Sequence, residues 1–340
     1  MSGAQPSRDA TEDPPGARLP FALLVAGPTA SGKSALALAL AERLDGAVIN
    51  ADSMQLYREL RVLTARPTPE EEARAPHLLY GVRPAAEAAS VAWWRGAALA
   101  AMEAVRAEGR VPILCGGTGL YFLSLTQGLS EIPPIPAPAR EEARALLAEL
   151  GPAGLHARLA EVDPETAATL RPSDSQRLAR AFEVWRGTGR GLRAWQAAGT
   201  ASGPARGPAP WRFAAILLDP PRPELRAAIT ARWQAMLRLG ALDEVRALVA
   251  ENLDPALPAM RAHGVPELAA HLAGRMTLED ASARAILNTG QYTKRQATWF
   301  RHHALAAPTD AHMIHARIAG VEQDSESIWR EIFKFVDARR

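Results

Sequence analysis

The sequence predicts an α/β protein: a parallel sheet flanked by helices, with an all-helical domain inserted into it. Three observations carry this. Short apolar runs twice pass through a glycine turn straight into a helical pattern, at 21–41 and at 111–126. That order is the repeating unit of a parallel sheet. Between 139 and 199 the strand pattern is absent and helical periodicity fills the segment, and an apolar run then returns at Phe213-Ala214-Ala215-Ile216-Leu217-Leu218. An α/β chain interrupted and then resumed reads as one domain carried inside another.

The first unit is the most informative. Phe21 to Ala26 is continuously apolar, as a strand buried on both faces must be. Gly27-Pro28-Thr29-Ala30-Ser31-Gly32-Lys33-Ser34 follows and fits G-x-x-x-x-G-K-[ST], the phosphate-binding P-loop. Ala35 to Ala41 then reads as a buried helix. The glycines let the backbone curl so that its N–H groups point at an anion, and the helix N-terminus adds partial positive charge. Lys33 supplies a full charge, and the Ser34 hydroxyl is placed to ligate Mg²⁺. The expected fold is therefore P-loop NTPase-like. The motif does not say which phosphate it holds.

The remaining elements follow in order. Residues 46–52 form a short second strand ending in a polar loop, which puts Asp52, Ser53 and Gln55 on the same rim as the P-loop, at the carboxyl ends of strands. Residues 66–76 read as a surface loop, 77–82 as another short strand and 91–107 as a helix. Val111 to Cys115 is a buried strand, closed by Gly116-Gly117-Thr118-Gly119 and followed by a helix over 120–126. A proline-rich joint at 132–138 leads into helices at about 139–150, after Gly151-Pro152, near Pro164, and from Asp174 or Ser175 to Gly187; Asp and Ser are both good N-caps. Residues 199–209 form a Gly/Pro/Ser linker. Residues 223–250 are helical and divided by Gly240, 257–268 are a mixed loop, 278–303 are a long helix, and 320–338 are an amphipathic helix. The expected domains are a core of 19–128 and 207–318, a helical insert of 129–206, and a C-terminal helix in 319–340.

Composition narrows the setting. Residues 1–18 are polar and proline-rich without an apolar stretch, so they read as a disordered tail rather than a signal peptide. No apolar run is long enough to span a bilayer. The single cysteine, Cys115, excludes an intramolecular disulfide and a cysteine zinc site. The cytoplasm is the expected location and a monomer the expected state. The net charge of +2 decides nothing about partners; its distribution says more.

Four groups of residues can carry chemistry. Asp52, at a strand end on the binding rim, suits a Mg²⁺ partner or a general base, and equally a helix cap. Thr118 stands where P-loop NTPases usually carry the metal-binding aspartate, and here no carboxylate occurs. That departure weakens an ATP-hydrolysing reading; the Thr118 hydroxyl can donate to a phosphate oxygen, or simply close a tight turn. In the helix from 176 to 186, Leu178, Phe182 and Trp185 make a buried stripe while Gln176 and Arg180 share another face. Between 171 and 193 six arginines face only Asp174 and Glu183. This suits phosphate and base contacts, although a solvated charged face is the commoner meaning. The helix from 284 to 303 interleaves Lys294, Arg295 and Arg301 with Tyr292, Trp299 and Phe300, and no acid occurs from 281 to 308. Such a concentration suggests a polyanion partner, with the aromatics themselves more suited to the core. Arg140, Arg232 and Arg261 are ambiguous by physics alone.

Together these motifs resemble the tRNA dimethylallyltransferase family. The resemblance rests on the P-loop, on Asn50-Ala51-Asp52-Ser53-Met54-Gln55-Leu56-Tyr57-Arg58, and on Gly116-Gly117-Thr118-Gly119-Leu120-Tyr121-Phe122. It extends through Asp174-Ser175-Gln176-Arg177-Leu178-Ala179-Arg180-Ala181 to Lys294-Arg295-Gln296-Ala297-Thr298-Trp299, collinear over about residues 20–302. It implies transfer of a dimethylallyl group from dimethylallyl diphosphate to N6 of the adenine on the 3′ side of the anticodon (position 37), in tRNAs that read codons beginning with U. The diphosphate would sit in the P-loop with Mg²⁺, and the tRNA anticodon loop would enter from the opposite side of a channel, between core and insert. Lys33, Ser34 and Arg232 would stabilise the leaving anion, and Asp52 would accept the N6 proton. Ser53, Met54, Gln55, Gln176, Arg177, Leu178, Ala179 and Arg180 match tRNA-contacting motifs. Thr118, Arg140, and the segment with Arg261, His263 and Gly264 match further tRNA- or substrate-contacting positions.

Two positions depart from the family pattern. Gly264-Val265-Pro266-Glu267 stands where the family usually has Gly-Tyr-Arg-Gln, and Gly119 replaces a commonly larger residue. Two other readings compete: a small-molecule P-loop kinase, and an isopentenyltransferase that acts on free adenine nucleotides.

Overall fold

The structure, a computed structural model, describes residues 19–130, 132–198, 207–319 and 326–340. The expected tail at 1–18 and most of the expected linker at 199–209 lie outside the described residues.

Six strands form one parallel sheet: β1 (Phe21–Ala26), β2 (Gly46–Asn50), β3 (His77–Leu78), β4 (Val111–Gly116), β5 (Arg212–Leu218) and β6 (Ala311–Ile314), in the order β3-β2-β4-β1-β5-β6. β1 is central, with Val25 in register with Cys115 on one side and Ile216 on the other. Its alternate residues serve two cores. Leu23 and Val25 face α1 (Lys33–Leu44), and Leu24 and Ala26 face α3 (Val91–Ala107) and α4 (Gly119–Thr126). Burial on both faces explains why the strand reads as an unbroken apolar run. On the α3 side Trp94 stacks on Tyr121 at 4.2 Å and donates its indole N–H to the Asn50 carbonyl, 2.8 Å away.

Between β2 and β3 lies α2 (Pro69–Arg74), a short helix where the sequence reads as loop. Thr68 and Glu71 form a capping box around its start, which offsets its short length. The insert contains α5 (Ala137–Val162), α6 (Pro164–Ala167), α7 (Ser175–Thr188) and α8 (Leu192–Ala197). Its α5 is two helices joined at Gly151, whose φ of 66° breaks the helical path ahead of Pro152. Leu155, Leu159, Leu178 and Phe182 give the insert a core of its own.

After β5 come α9 (Arg222–Arg238), α10 (Ala241–Ala250), α11 (Val265–Leu272) and α12 (Leu278–His302). The segment read as a mixed loop holds a 3₁₀ turn at Ala259–Arg261 and the start of α11. Pro266 looks like a helix breaker, but it occupies the first turn, where proline is tolerated. The helices α9 to α12 close a third apolar cluster over residues 57–63. The last helix, α13 (Glu326–Asp337), packs Trp329, Ile332 and Val336 into the α1-side core. Among the described residues, no helix is long and apolar enough to cross a membrane.

The carboxyl ends of β1, β2 and β4 therefore share one rim, where a parallel sheet presents its ligand site. Replacing Ile332, which is fully buried, with alanine removes packing between α13 and the sheet. The expected cost is about 2–5 kcal/mol, read as a lowered denaturant midpoint with no change in slope.

Candidate active site

The P-loop leaves β1 and enters α1 through Gly32, whose φ is 91°. A side chain there would also collide with the chain after β6: a Cβ on Gly32 would lie 1.8 Å from the Ile318 carbonyl oxygen. That segment straps the back of the loop. Ile318 donates its N–H to the Ser31 carbonyl at 3.1 Å, and Arg317 donates Nε–H to the Ala30 carbonyl at 3.2 Å. Lys33 is buried, with Nζ 3.4 Å from the Pro28 carbonyl. Burial lowers the pKa of its ammonium, and the charge of Asp52 works against that shift. The Ser31 hydroxyl is buried without a protein partner, so the loop holds a polar group that its own fold does not satisfy.

Asp52 is held by the end of β2. Asn50, fully buried, accepts the Asp52 N–H at 2.8 Å and donates to the Asp52 and Leu79 carbonyls, both at 3.0 Å. One oxygen of the Asp52 carboxylate accepts the Met54 N–H at 3.0 Å. The Thr118 hydroxyl accepts the Ser53 N–H at 2.9 Å and donates to the Ser53 hydroxyl at 3.3 Å. Thr118 thus braces the Asp52–Ser53 turn from behind. Gln55 donates to the carbonyls of Thr64 and Ala65, each at 2.9 Å, and Arg232 donates to the Thr64 carbonyl at 3.2 Å. Burial lowers the pKa of the Arg232 guanidinium, with Asp52 again opposing.

The residue that joins these parts is Gln296, on α12. Its Oε1 accepts both the Thr29 N–H at 2.9 Å and the Thr29 hydroxyl at 3.2 Å, while its Nε2 donates to the Gly117 carbonyl at 3.0 Å. One buried amide therefore ties the P-loop to the turn that carries Thr118. Gly117 has no room for a side chain because Gln296 is there, and Gly119 none because the Trp299 ring lies 2.0 Å from where a Cβ would stand. The small residue at 119 is the counterpart of that indole.

Two cavities meet at this point. One, of about 240 Å³, is walled by Thr29, Asp52, Ser53, Met54, Gln55, Arg261, His263 and Tyr292. The other, of about 500 Å³, opens on the far side of the P-loop. Lys33, Ser34, Arg232 and Met236 line both, so two cations, Lys33 and Arg232, border both cavities. On the first side, the His263 and Tyr292 rings lie 4.8 Å apart at 49°. Burial lowers the His263 pKa, and it lifts the Tyr292 phenol to about 12. A basic groove with Arg261, Arg275, Arg284 and Arg295 continues outward from His263.

The insert's candidate residues lie elsewhere. Arg140, Gln176, Arg177 and Arg180 are exposed on α5 and α7, and none lines either of the two joined cavities. Arg177 and Arg180 pair with Asp174 and Glu183, three residues away. Leu178 is a correction: fully buried with Phe182 in the insert's core, its side chain is out of reach of any RNA. Ala179 packs partly against the same core. Gly264 turns the chain at a φ of 98° beneath Trp233, so only its backbone is offered. Glu267, in the departing tetrapeptide, caps α11 by accepting the Gly264 N–H at 3.1 Å and accepts from Asn288 at 2.7 Å.

The fold and this site define a P-loop α/β protein whose anion cradle borders two cavities, one of them lined also by an aspartate. Residues 55–303 match the family model described as IPP transferase, and residues 21–80 match that described as isopentenyl transferase. The tRNA dimethylallyltransferase of Granulibacter bethesdensis is 61% identical over 317 residues, spanning 93% of this chain and 98% of the relative. That of Gluconacetobacter diazotrophicus is 59% identical, over 92% and 93%. The full-length tRNA isopentenylpyrophosphate transferase of Bacillus halodurans superposes with a TM-score of 0.65 at 30% identity, over 95% of this chain and 97% of that one. A eukaryotic dimethylallyltransferase acting on tRNA shares the fold, with a TM-score of 0.75 at 24% identity over 94% and 80% of the two chains. The chain belongs to the tRNA dimethylallyltransferase family.

Asn50 and Gln296 are the supports that motif spacing does not reveal as such. Replacing Gln296 with leucine strands the Thr29 N–H and the Gly117 carbonyl, at a cost of about 1–3 kcal/mol for each buried group left unpaired. The expected outcome is a drop of roughly tenfold or more in kcat/KM for the phosphate-bearing substrate, from a shift of that size in a positioned loop. Steady-state kinetics beside a melting curve separate this from general unfolding.

Proposed function

We propose that the chain transfers a dimethylallyl group from dimethylallyl diphosphate to N6 of adenine 37 in tRNAs that read codons beginning with U. One observation carries the reading. The cradle formed by Lys33, Ser34 and Arg232 borders two cavities and Asp52 lines one of them, while the turn after β4 carries Gly117 and Thr118 with no carboxylate. A kinase needs that acid for its metal. A transferase that displaces diphosphate needs an anion cradle on one side of the reacting carbon and a base on the other.

The proposed steps are these. The diphosphate rests in Gly27–Ser34, against loop N–H groups, Lys33 and Arg232. The adenine enters through the cavity with the His263–Tyr292 pair; a base must leave its stack to reach such a site, and aromatic rings offer it a replacement. The N6 lone pair attacks C1 of the allyl group, and the C1–O bond breaks with its electron pair going to the diphosphate. Charge that develops on the leaving oxygens is met by groups already in place. The N6 proton passes to Asp52, whose second oxygen carries no hydrogen bond from the turn. Thr118 and Asn50 hold that turn, and Gln296 fixes the cradle relative to it.

Magnesium fits the site in one way. Among the described residues there is no group of three or more His, Cys, Asp or Glu side chains able to hold a metal by themselves. Mg²⁺ is instead often carried by substrate phosphates with one or two protein oxygens. Ser34 would supply such an oxygen, and the ion would add charge neutralisation at the leaving group.

The groove of Arg261, Arg275, Arg284 and Arg295 favours tRNA over a free nucleotide, because it continues beyond the base cavity where a nucleotide would have nothing to place. The exposed arginines of α7 are the insert's matching surface. The chain is read as acting in the cytoplasm as a monomer.

Asp52→Asn keeps the acceptor for Met54 N–H and removes the proton acceptor. The expected result is a fall in kcat of about 10²–10⁴ with little change in donor affinity, which is the usual weight of general-base catalysis. Mass spectrometry of tRNA nucleosides reads it; parental turnover by this variant contradicts the role.

A further inference from the structure

Four residues border both cavities at the cradle: Lys33, Ser34, Arg232 and Met236. Three of them serve the anion. Met236 is the apolar one, and the displacement step gives it no part. It stands on α9 one turn after Arg232, on the same face and about 6 Å further along the helix axis. Beside the head of the donor on that face lies the carbon chain that the head is leaving.

Met236 differs from the other apolar walls of the first cavity. Leu63 and Trp233 press on Gly264, where a Cβ would lie 2.9 Å from each, so backbone stands behind them. Ile229 packs against Ala30 of the P-loop, with Ile286 beside it. Met236 is buried in one cluster with Leu63 and Trp233, yet among these walls it alone also borders the second cavity. That cavity, of about 500 Å³, has Val62, Ala235 and Leu239 among its apolar lining, against about 240 Å³ for the first.

An apolar pocket does not reject a longer chain by affinity, because each further buried methylene favours binding. An allyl diphosphate one isoprene unit longer carries the same head, the same C1 and the same leaving group. Selection of the five-carbon donor therefore needs a side chain that obstructs the longer one. We propose that Met236 is that obstruction: its side chain stops the tail of the donor and sets the donor length at five carbons. The inference rests on the diphosphate reading of the P-loop and deepens it by naming the residue that selects the donor. Truncating Met236 gives a ten-carbon tail room toward Val62 and Leu239. The chemistry is unchanged: N6–C1 forms, C1–O breaks, and diphosphate leaves with the electron pair.

The test supplies the full chain with tRNA, magnesium and an equimolar mixture of dimethylallyl and geranyl diphosphates. Mass spectrometry of tRNA nucleosides reads both prenylated adenosines. Their ratio reports the two kcat/KM values against each other and does not depend on how much of a sample is folded. The parent is expected to make the five-carbon product. Met236→Ala is expected to raise the ratio of ten- to five-carbon product roughly tenfold or more, the weight of a steric mismatch in an apolar pocket. Met236→Leu, similar in volume, should keep the parental ratio. An unchanged ratio in Met236→Ala would overturn the proposal, as would a parent that uses both donors equally. So would an equal rise in Leu63→Ala, which enlarges the first cavity at a wall that does not border the second. If a melting curve shows that Met236→Ala does not fold, Met236→Val carries the same comparison. A parent that makes neither product, or makes the five-carbon product as fast after Lys33→Ala, would instead sink the reading of the P-loop on which the selection stands.

Discussion

A buried ammonium needs an anion, and the structure is arranged around that need. Lys33 is taken out of water at the start of α1, where burial works against its charge and Asp52 works for it. The cradle that holds it cannot be built locally. Gly32 must adopt a left-handed φ beneath the Ile318 backbone, and Thr29 must be gripped by Gln296 from the far end of the chain. Loosening either support releases the loop without touching the lysine. The site is therefore as rigid as the contacts among β1, β6 and α12.

This constraint gives the molecule its two-sidedness. Lys33 and Arg232 line both cavities, so an anion held there borders both of them. One cavity carries rings and a basic groove, the other apolar walls and the guanidinium groups of Arg61, Arg66 and Arg317. Displacement at carbon benefits from this layout, because nucleophile and leaving group lie on opposite sides of the reacting atom. Asp52 lines the cavity that holds the His263 and Tyr292 rings, and Asn50 and Thr118 brace its turn.

The parts legible in the sequence are those whose physics is local. The P-loop writes itself in glycines and a lysine, and the strand before it in an unbroken apolar run. Asp52 was reachable because ligands collect at the carboxyl ends of parallel strands, and the Leu178 stripe because a helix core repeats every turn. What stayed hidden is non-local. Gln296 bonds a residue 267 positions away, and within the run Lys294-Arg295-Gln296 it reads as one more polar residue of a basic helix. Strand β6 is four residues long and partly exposed, too little for a pattern. Helix α11 was masked by Pro266, and the capping role of Glu267 emerges only once Gly264 turns the chain. The arginines of the far cavity come from 61, 66 and 317, which no window of sequence brings together.

The central claim concerns which bond breaks at the P-loop. Dimethylallyl diphosphate labelled with ¹⁸O in the C1–O bridge, supplied with tRNA to the full chain, distinguishes the possibilities in one measurement by mass spectrometry of both products. Scission of the allylic C–O bond leaves all of the label in released diphosphate and a prenyl group on adenosine N6. Label retained on a prenyl alcohol, or release of orthophosphate in place of diphosphate, would mean that the cradle breaks a P–O bond as a phosphoryl-transfer enzyme does, and would contradict the account.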